Sequence, residues 1–171
     1  PGIIQLGRYG TLVKRLAQFG LKPDDVGVII NSHCHYDHVE ANYLFKDKPL
    51  IIHEKELEHC DRTYWPEWTQ AFIGIMEIEK MKSSKKISNN LEIVETLGHT
   101  PGSITALVKT QNGLEAIMGD AVIIKEDYME LKAPSVVVSN TDVFQAIESM
   151  KKIAQRRPSV VIPGHDAPFS P

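Results

Sequence analysis

The stretch His33-Cys34-His35-Tyr36-Asp37-His38 follows the apolar run Val26-Gly27-Val28-Ile29-Ile30 and decides how the rest of the chain is read. The apolar run is rich in β-branched residues and has no polar alternation, the pattern of a strand buried on both faces. Side chains alternate along extended backbone, so His33 and His35, two apart, point the same way and can reach one cation. A helix expected over about residues 38–45 carries Asp37 and His38 round the turn, within reach of a second cation. One cation taking all four groups is the rival geometry. Imidazole and carboxylate donors gathered in this way suit zinc, iron or manganese.

Three later motifs repeat the logic. Leu91-Glu92-Ile93-Val94-Glu95-Thr96-Leu97 alternates like a half-buried strand and leads to His99 in Gly98-His99-Thr100-Pro101-Gly102. Leu114 to Met118 leads to Gly119-Asp120, and Ser159-Val160-Val161-Ile162 leads to Pro163-Gly164-His165-Asp166. Polar groups just past the carboxyl ends of strands are where open α/β sheets build their sites. A glycine beside each of the three lets backbone come close to a cation. Each motif alone has a plain reading, since Gly-Asp and Pro-Gly are ordinary turn dipeptides. The set is harder to dismiss, because five of the seven histidines fall in it together with Asp37 and Asp120.

Other residues are read with restraint. Asp166 and Thr100 either orient a metal-bound imidazole or simply meet solvent. Cys34 reads as a small buried filler or a redox-sensitive neighbour of the motif, Tyr36 as packing or pocket lining, and His53 and His59, without motif context, as structural or exposed. The two cysteines, 26 positions apart, do not suggest a disulfide framework, so a reducing, cytoplasmic setting is the expectation.

The 171 residues are expected to form a single domain with a real core; 42% are hydrophobic and 24% charged. No run is long enough to span a membrane, so no membrane association is expected. A net charge of −3 argues against a dedicated nucleic-acid binder. The order of elements is α/β throughout. A helix is expected from Tyr9 to Phe19, with Tyr9, Leu12, Val13, Leu16 and Phe19 on one face and Gly20 as its stop. Pro49 to His53 and Ser103 to Thr110 read as strands, and Asn112-Gly113 as a hairpin turn. The cluster Ser139-Asn140-Thr141-Asp142 offers caps for a helix whose stripe is Val143, Phe144, Ile147, Met150 and Ala154. Residues 61–90 stand apart as a lid or insertion. They open on Tyr64-Trp65-Pro66-Glu67-Trp68, continue with a helical pattern from Thr69 to Lys82, and close on a basic run, Lys80 to Lys86.

Residues 33–38, 99, 120 and 165 resemble, in order and spacing, the ligand motifs of the metallo-β-lactamase superfamily. The resemblance implies an α/β fold of the four-layer αβ/βα sandwich type, with metals at one edge of two sheets. It further implies that His33, His35 and His99 hold one metal, that Asp37, His38 and His165 hold the other, and that Asp120 bridges them. An Asp at the bridging position is similar to the glyoxalase II, lactonase and ribonuclease Z branches rather than to true β-lactamases. The lactonases carry a catalytic Tyr three residues after that Asp, where this chain has Ile123. The family also begins with several strands before its first helix, whereas here the helix comes almost at once. The expectation is therefore an N-terminally truncated sandwich, either a fragment or one whose free edge a homo-oligomer or another chain covers.

The function implied is a metal-dependent hydrolase. Two divalent cations, zinc first and iron or manganese as alternatives, would share an activated hydroxide that attacks an ester, thioester or lactone. Asp120 and Asp37 are the catalytic candidates, the second as a proton carrier to the leaving group. Three rivals accompany this reading: a phosphodiesterase or ribonuclease acting on RNA, a mononuclear iron oxygenase, and a non-catalytic module that metals merely staple.

Overall fold

The computed structural model describes residues 12–63, 71–132, 134–135 and 141–171. Two sheets form its centre. The first is parallel, in the order β1 (Ile29–Ile30), β2 (Pro49–His53), β3 (Glu77–Met81). The second has the order β4 (Lys85–Lys86), β5 (Leu91–Glu95), β6 (Ile104–Thr110), β7 (Gly113–Gly119), β8 (Val160–Pro163). It is antiparallel from β4 to β7, and β8 joins β7 in parallel.

Three apolar clusters account for the layering. Leu50 and Ile52 of β2 pack with Val39, Phe45 and Cys60 under the helices on the outer face of the first sheet. Those helices are α1 (residues 12–18), α2 (Tyr36–Val39) with a 3-10 turn over Glu40–Phe45, and α3 (Glu54–Thr63). Ile51 and Met81 face Ile93 and Ile104 between the two sheets. Val94, Leu107, Ala116, Met118 and Val161 of the second sheet pack with Met150 and Ile153 of α5 (Val143–Ala154) and with Tyr128 of α4 (Lys125–Glu130). Helix, sheet, sheet, helix is the expected four-layer αβ/βα order, and period-two alternation explains it: Leu50 and Ile52 face one way along β2, Ile51 the other.

Several local expectations need correction. The helical reading of Thr69 to Lys82 holds among the described residues at 71–72 and fails beyond them, because Glu77–Met81 is β3, paired in parallel with β2. This strand is an edge of its sheet, and Glu77, Glu79 and Lys80 leave it without an apolar run while blunting the edge. Tyr64 to Trp68 lie outside the described residues. In α5 the buried face is Ala146, Ser149, Met150 and Ile153, while Phe144 is 84% exposed and Asp142 caps the helix by accepting from the Gln145 N–H at 3.0 Å. Ser139 and Asn140 lie outside the described residues. Leu12 and Leu16 of α1 pack on the core as expected, but Phe19 is exposed. Cys34 and Cys60 are joined in a disulfide, which removes the cysteine-based reason for a reducing compartment. The described residues contain no helix long and apolar enough to cross a membrane. An apolar groove of about 290 Å³ is lined by Ile30, Ile104, Ala106, Val108 and Ile117.

Candidate metal centre

Four strand ends deliver the polar motifs to one edge of the sandwich. The chain leaves β1 extended, so His33 and His35 project from a loop that Asn31 pins: its backbone N–H donates to Ile51 at 3.2 Å. The buried Asn31 amide also donates to the His38 carbonyl at 3.1 Å and pairs with Asn42, anchoring the start of the following helix. β5 runs out to His99, whose carbonyl accepts from the Thr141 hydroxyl at 3.2 Å. β7 ends at Asp120 and β8 at His165, and these two loops are laced together by Gly164 N–H to Val122 O at 2.9 Å and His165 N–H to Ile123 O at 3.0 Å.

The glycines act more variously than their adjacency to the motifs implies. A Cβ at Gly164 would strike the Asp120 carboxylate, so this glycine does make room inside the site. Gly98, with φ of +137°, instead makes room for the backbone of α5 at Ala146.

All seven candidate side chains converge. They form two groups, His33, His35, His99 and Asp120 in one and Asp37, His38 and His165 in the other, with the donor atoms of each within 4.8 Å of one another. In the first group His35 Nδ1 lies 2.9 Å from His33 Nε2 and 3.1 Å from His99 Nε2. Asp120 Oδ2 lies 3.4 Å from His99 Nε2 and 3.8 Å from His33 Nε2. In the second group Asp37 Oδ2 is 3.4 Å from His165 Nε2 and 3.6 Å from His38 Nε2. Asp120 faces this group too, with Oδ1 3.1 Å from His38 and Oδ2 3.3 Å from His165.

These separations suit cations. Donors about 2.0–2.1 Å from a tetrahedral zinc lie about 3.3 Å from one another, the middle of the range seen here. One nitrogen, His35 Nδ1, cannot satisfy two imidazoles at once, whereas a cation among the three would take a lone pair from each. Electrostatics points the same way. Burial holds His33 well below the ordinary imidazole value, helped by the imidazoles of His38, His35, His99 and His165. Burial likewise lowers His99 to about 4 against the pull of Asp120, and lowers His35. Burial pushes the Asp120 carboxyl up, but its hydrogen bond to His38 and the charges of His38, His99 and His165 win, and the net shift is down. Neutral imidazoles around an ionised carboxylate are the protonation states that metal binding needs.

The residues that support the site come from outside the motifs as well as from within them. The Ser32 hydroxyl lies 3.1 Å from His33 Nδ1, and no sequence pattern singles it out. Asp166 orients no imidazole; its carboxylate accepts from the backbone N–H of Lys125 at 3.1 Å and of Ala167 at 2.7 Å, fixing the His165 loop from the surface. Thr100 is buried and bonds to Glu56. His53 is buried with Nε2 3.1 Å from Glu95, as befits a structural histidine. Cys34, Glu56 and Cys60 form a third cluster of donor types, but the disulfide leaves no thiolate there.

The metallo-beta-lactamase superfamily profile matches residues 6–165. A probable metallo-hydrolase of Methanocaldococcus jannaschii is 33% identical over 155 residues, 91% of this chain and 64% of the relative. An N-acyl homoserine lactonase of Bacillus cereus is 27% identical over 168 residues, 97% of this chain and 65% of the relative. The chain thus spans about two thirds of the length of these curated relatives. Among solved structures, an N-acyl homoserine lactone hydrolase with the product N-hexanoyl-L-homoserine at its catalytic metal centre superposes with a TM-score of 0.73. That match has 25% identity and covers 90% of this chain and 61% of the other.

Proposed function

Since the chain belongs to the metallo-beta-lactamase superfamily, we propose that it is a metal-dependent hydrolase that cleaves an ester-type bond in a small molecule. Lactones, esters and thioesters are the substrate class. The observation that carries this reading is the pair of donor sets joined through the two oxygens of Asp120. In it His33, His35 and His99 would hold one divalent cation, Asp37, His38 and His165 would hold a second, and Asp120, within reach of both sets, would serve the two. Nitrogen-rich donors with carboxylates favour zinc. When bound, such a pair supplies an activated water and a Lewis acid for the scissile carbonyl.

The chain's own residues do the rest. His33 and His99, kept neutral by burial, offer lone pairs at neutral pH without first losing a proton. Asp120, 6% exposed, forms the floor of the site. The Asp37 carboxylate, 34% exposed, stands at its mouth. From there its second oxygen, Oδ1, can accept the proton lost by the attacking water and pass it to the leaving-group oxygen, while Oδ2 faces His38 and His165. Ile123, three positions after Asp120, is buried and has no hydroxyl to give, so that duty falls to Asp37. A lactone substrate is supported by the lactonase relatives and by the ring-opened product in the superposed structure.

The test is turnover by zinc-loaded protein on a panel of a lactone, a thioester, an aryl ester and a phosphodiester, followed by acid release. Cleavage of the acyl substrates is expected, and metal-replete protein that cleaves none would refute the assignment. Asp120→Ala should lose both metal and turnover, the latter by about 10³-fold or more, since a metal contributes several kcal/mol to transition-state stabilisation.

A further inference from the structure

Helix α3 runs behind the site and carries one carboxylate, Glu56, that is completely buried. Its Oε1 accepts from the Cys34 N–H at 2.9 Å. Its Oε2 accepts from the Thr100 hydroxyl at 2.6 Å and from the Gly102 N–H at 3.0 Å. Cys34 is the residue between His33 and His35, and Thr100 follows His99. Two loops more than sixty positions apart in sequence are therefore tied to the two oxygens of one side chain.

The hydroxyls around it are oriented by this bond. Thr100 spends its only hydroxyl proton on Glu56, so at the 2.6 Å contact with Ser103 the Ser103 hydroxyl donates and Thr100 accepts. Ser103 in turn accepts from the Thr100 N–H at 3.0 Å, closing the His99 loop on itself. A buried carboxylate is a costly way to fill space, and a leucine on α3 would satisfy the core at lower cost. Burial pushes this carboxyl upward even against its three hydrogen bonds. The group therefore does something that packing alone would not require.

We propose that Glu56 is a positioning residue for the metal centre, holding the His33–His35 loop and the His99 loop at a fixed separation before any cation enters. The inference rests on the metal-binding reading given above. It acts through the three donors, and its measure is the 3.1 Å approach of His35 Nδ1 to His99 Nε2. An amide in place of the carboxylate has one acceptor oxygen instead of two. Glu56→Gln can therefore hold one loop but presents N–H to the N–H of the other.

Two measurements test this. The first is amide hydrogen exchange on metal-free protein, which needs no cation. In Glu56→Gln, protection at Cys34 or at Gly102 should fall by about 10-fold or more while β5, β6 and α5 keep theirs. The second is zinc affinity by chelator competition, where the tighter site should weaken by about 10- to 100-fold, the range for losing an outer-shell partner. Thr100→Val should produce a smaller loss of the same kind, and Thr100→Ser, which keeps the hydroxyl, should restore the native values. That pair decides the matter if Glu56→Gln does not fold. Unchanged protection and affinity would overturn the proposal, and so would a uniform loss of protection across the molecule, which would make Glu56 a stabilising residue only. A native protein that binds no zinc would instead sink the metal reading, and the exchange pattern would still judge Glu56.

Discussion

The two halves of the site are built differently. His33, His35, His99 and Asp120 form the inner half, where His33 and His99 are no more than 1% exposed. Their loops are held by Ser32, by Glu56 through Cys34, Thr100 and Gly102, and by Thr141 on the His99 carbonyl. Asp37, His38 and His165 form the outer half, where the His165 side chain is 45% exposed. There the His38 carbonyl accepts from Asn31, which is itself paired with Asn42. His165 is held by its main chain and by Asp166 at the surface. The contrast teaches a division of labour. A preorganised inner half forgoes little entropy on binding a cation, while an open outer half can exchange ligands with water and substrate.

The strongest way to break this comparison is to delete one imidazole from each half. His33→Ala should weaken the tighter zinc site by more than the roughly 100-fold typical of losing an outer-shell partner, because a direct ligand is gone. His165→Ala should remove only the weaker cation and leave the tighter one within a few-fold of native. Chelator competition with two spectroscopically distinct chelators separates the two sites. Equal losses from both substitutions would mean that the halves are energetically one site.

A smaller effect is expected from pH, and it too belongs to the inner half. Burial first, and then the neighbouring imidazoles, holds His33 below its ordinary 6.5, and burial takes His99 to about 4. In the unfolded chain both titrate near 6.5. Between these values the unfolded state binds protons that the folded state refuses, so unfolding free energy rises with pH there. Metal-free protein should therefore have its full share of this stability above pH 6.5 and lose it progressively toward pH 4. Urea midpoints in chelator across that window check it, and His99→Gln should flatten the slope. A flat native profile would mean that the inner imidazoles are not kept neutral.

The halves also differ in how far the sequence betrays them. All seven candidate donors that converge were legible, because His33-x-His35-x-Asp37-His38 and the three strand-end motifs announce themselves by residue type and spacing. The layer order followed from the same apolar runs. What supports the inner half was not legible. Glu56 lies between Glu54 and Glu58 on a helix of ordinary charge, and nothing local separates the buried carboxylate from its neighbours. Its identity depends on two loops that arrive from elsewhere. The same holds for β3, where Glu77 to Met81 carries no strand signature and takes its form from pairing with β2. The Cys34–Cys60 link, too, depends on α3 being laid against the first motif. Donors are chosen by chemistry and written locally; braces are chosen by distance, which the chain order does not record.

The finest probe of the contrast is Ser32. Its hydroxyl is 3.1 Å from His33 Nδ1, while Nε2 of the same ring faces the donor cluster. Nε2 can offer a lone pair to a cation only if the proton sits on Nδ1, so the Ser32 oxygen must accept it. Ser32→Ala removes that acceptor and lets the ring take either tautomer. The expected cost is about 10-fold in affinity at the tighter site, the low end for an outer-shell partner, with no change at the weaker one. Nitrogen NMR of metal-free protein reads the tautomer directly: native His33 should be protonated at Nδ1 and the variant mixed. Should the variant keep both the native tautomer and the native affinity, packing alone would be orienting the ring. The inner half would then owe its order to burial rather than to hydrogen bonds.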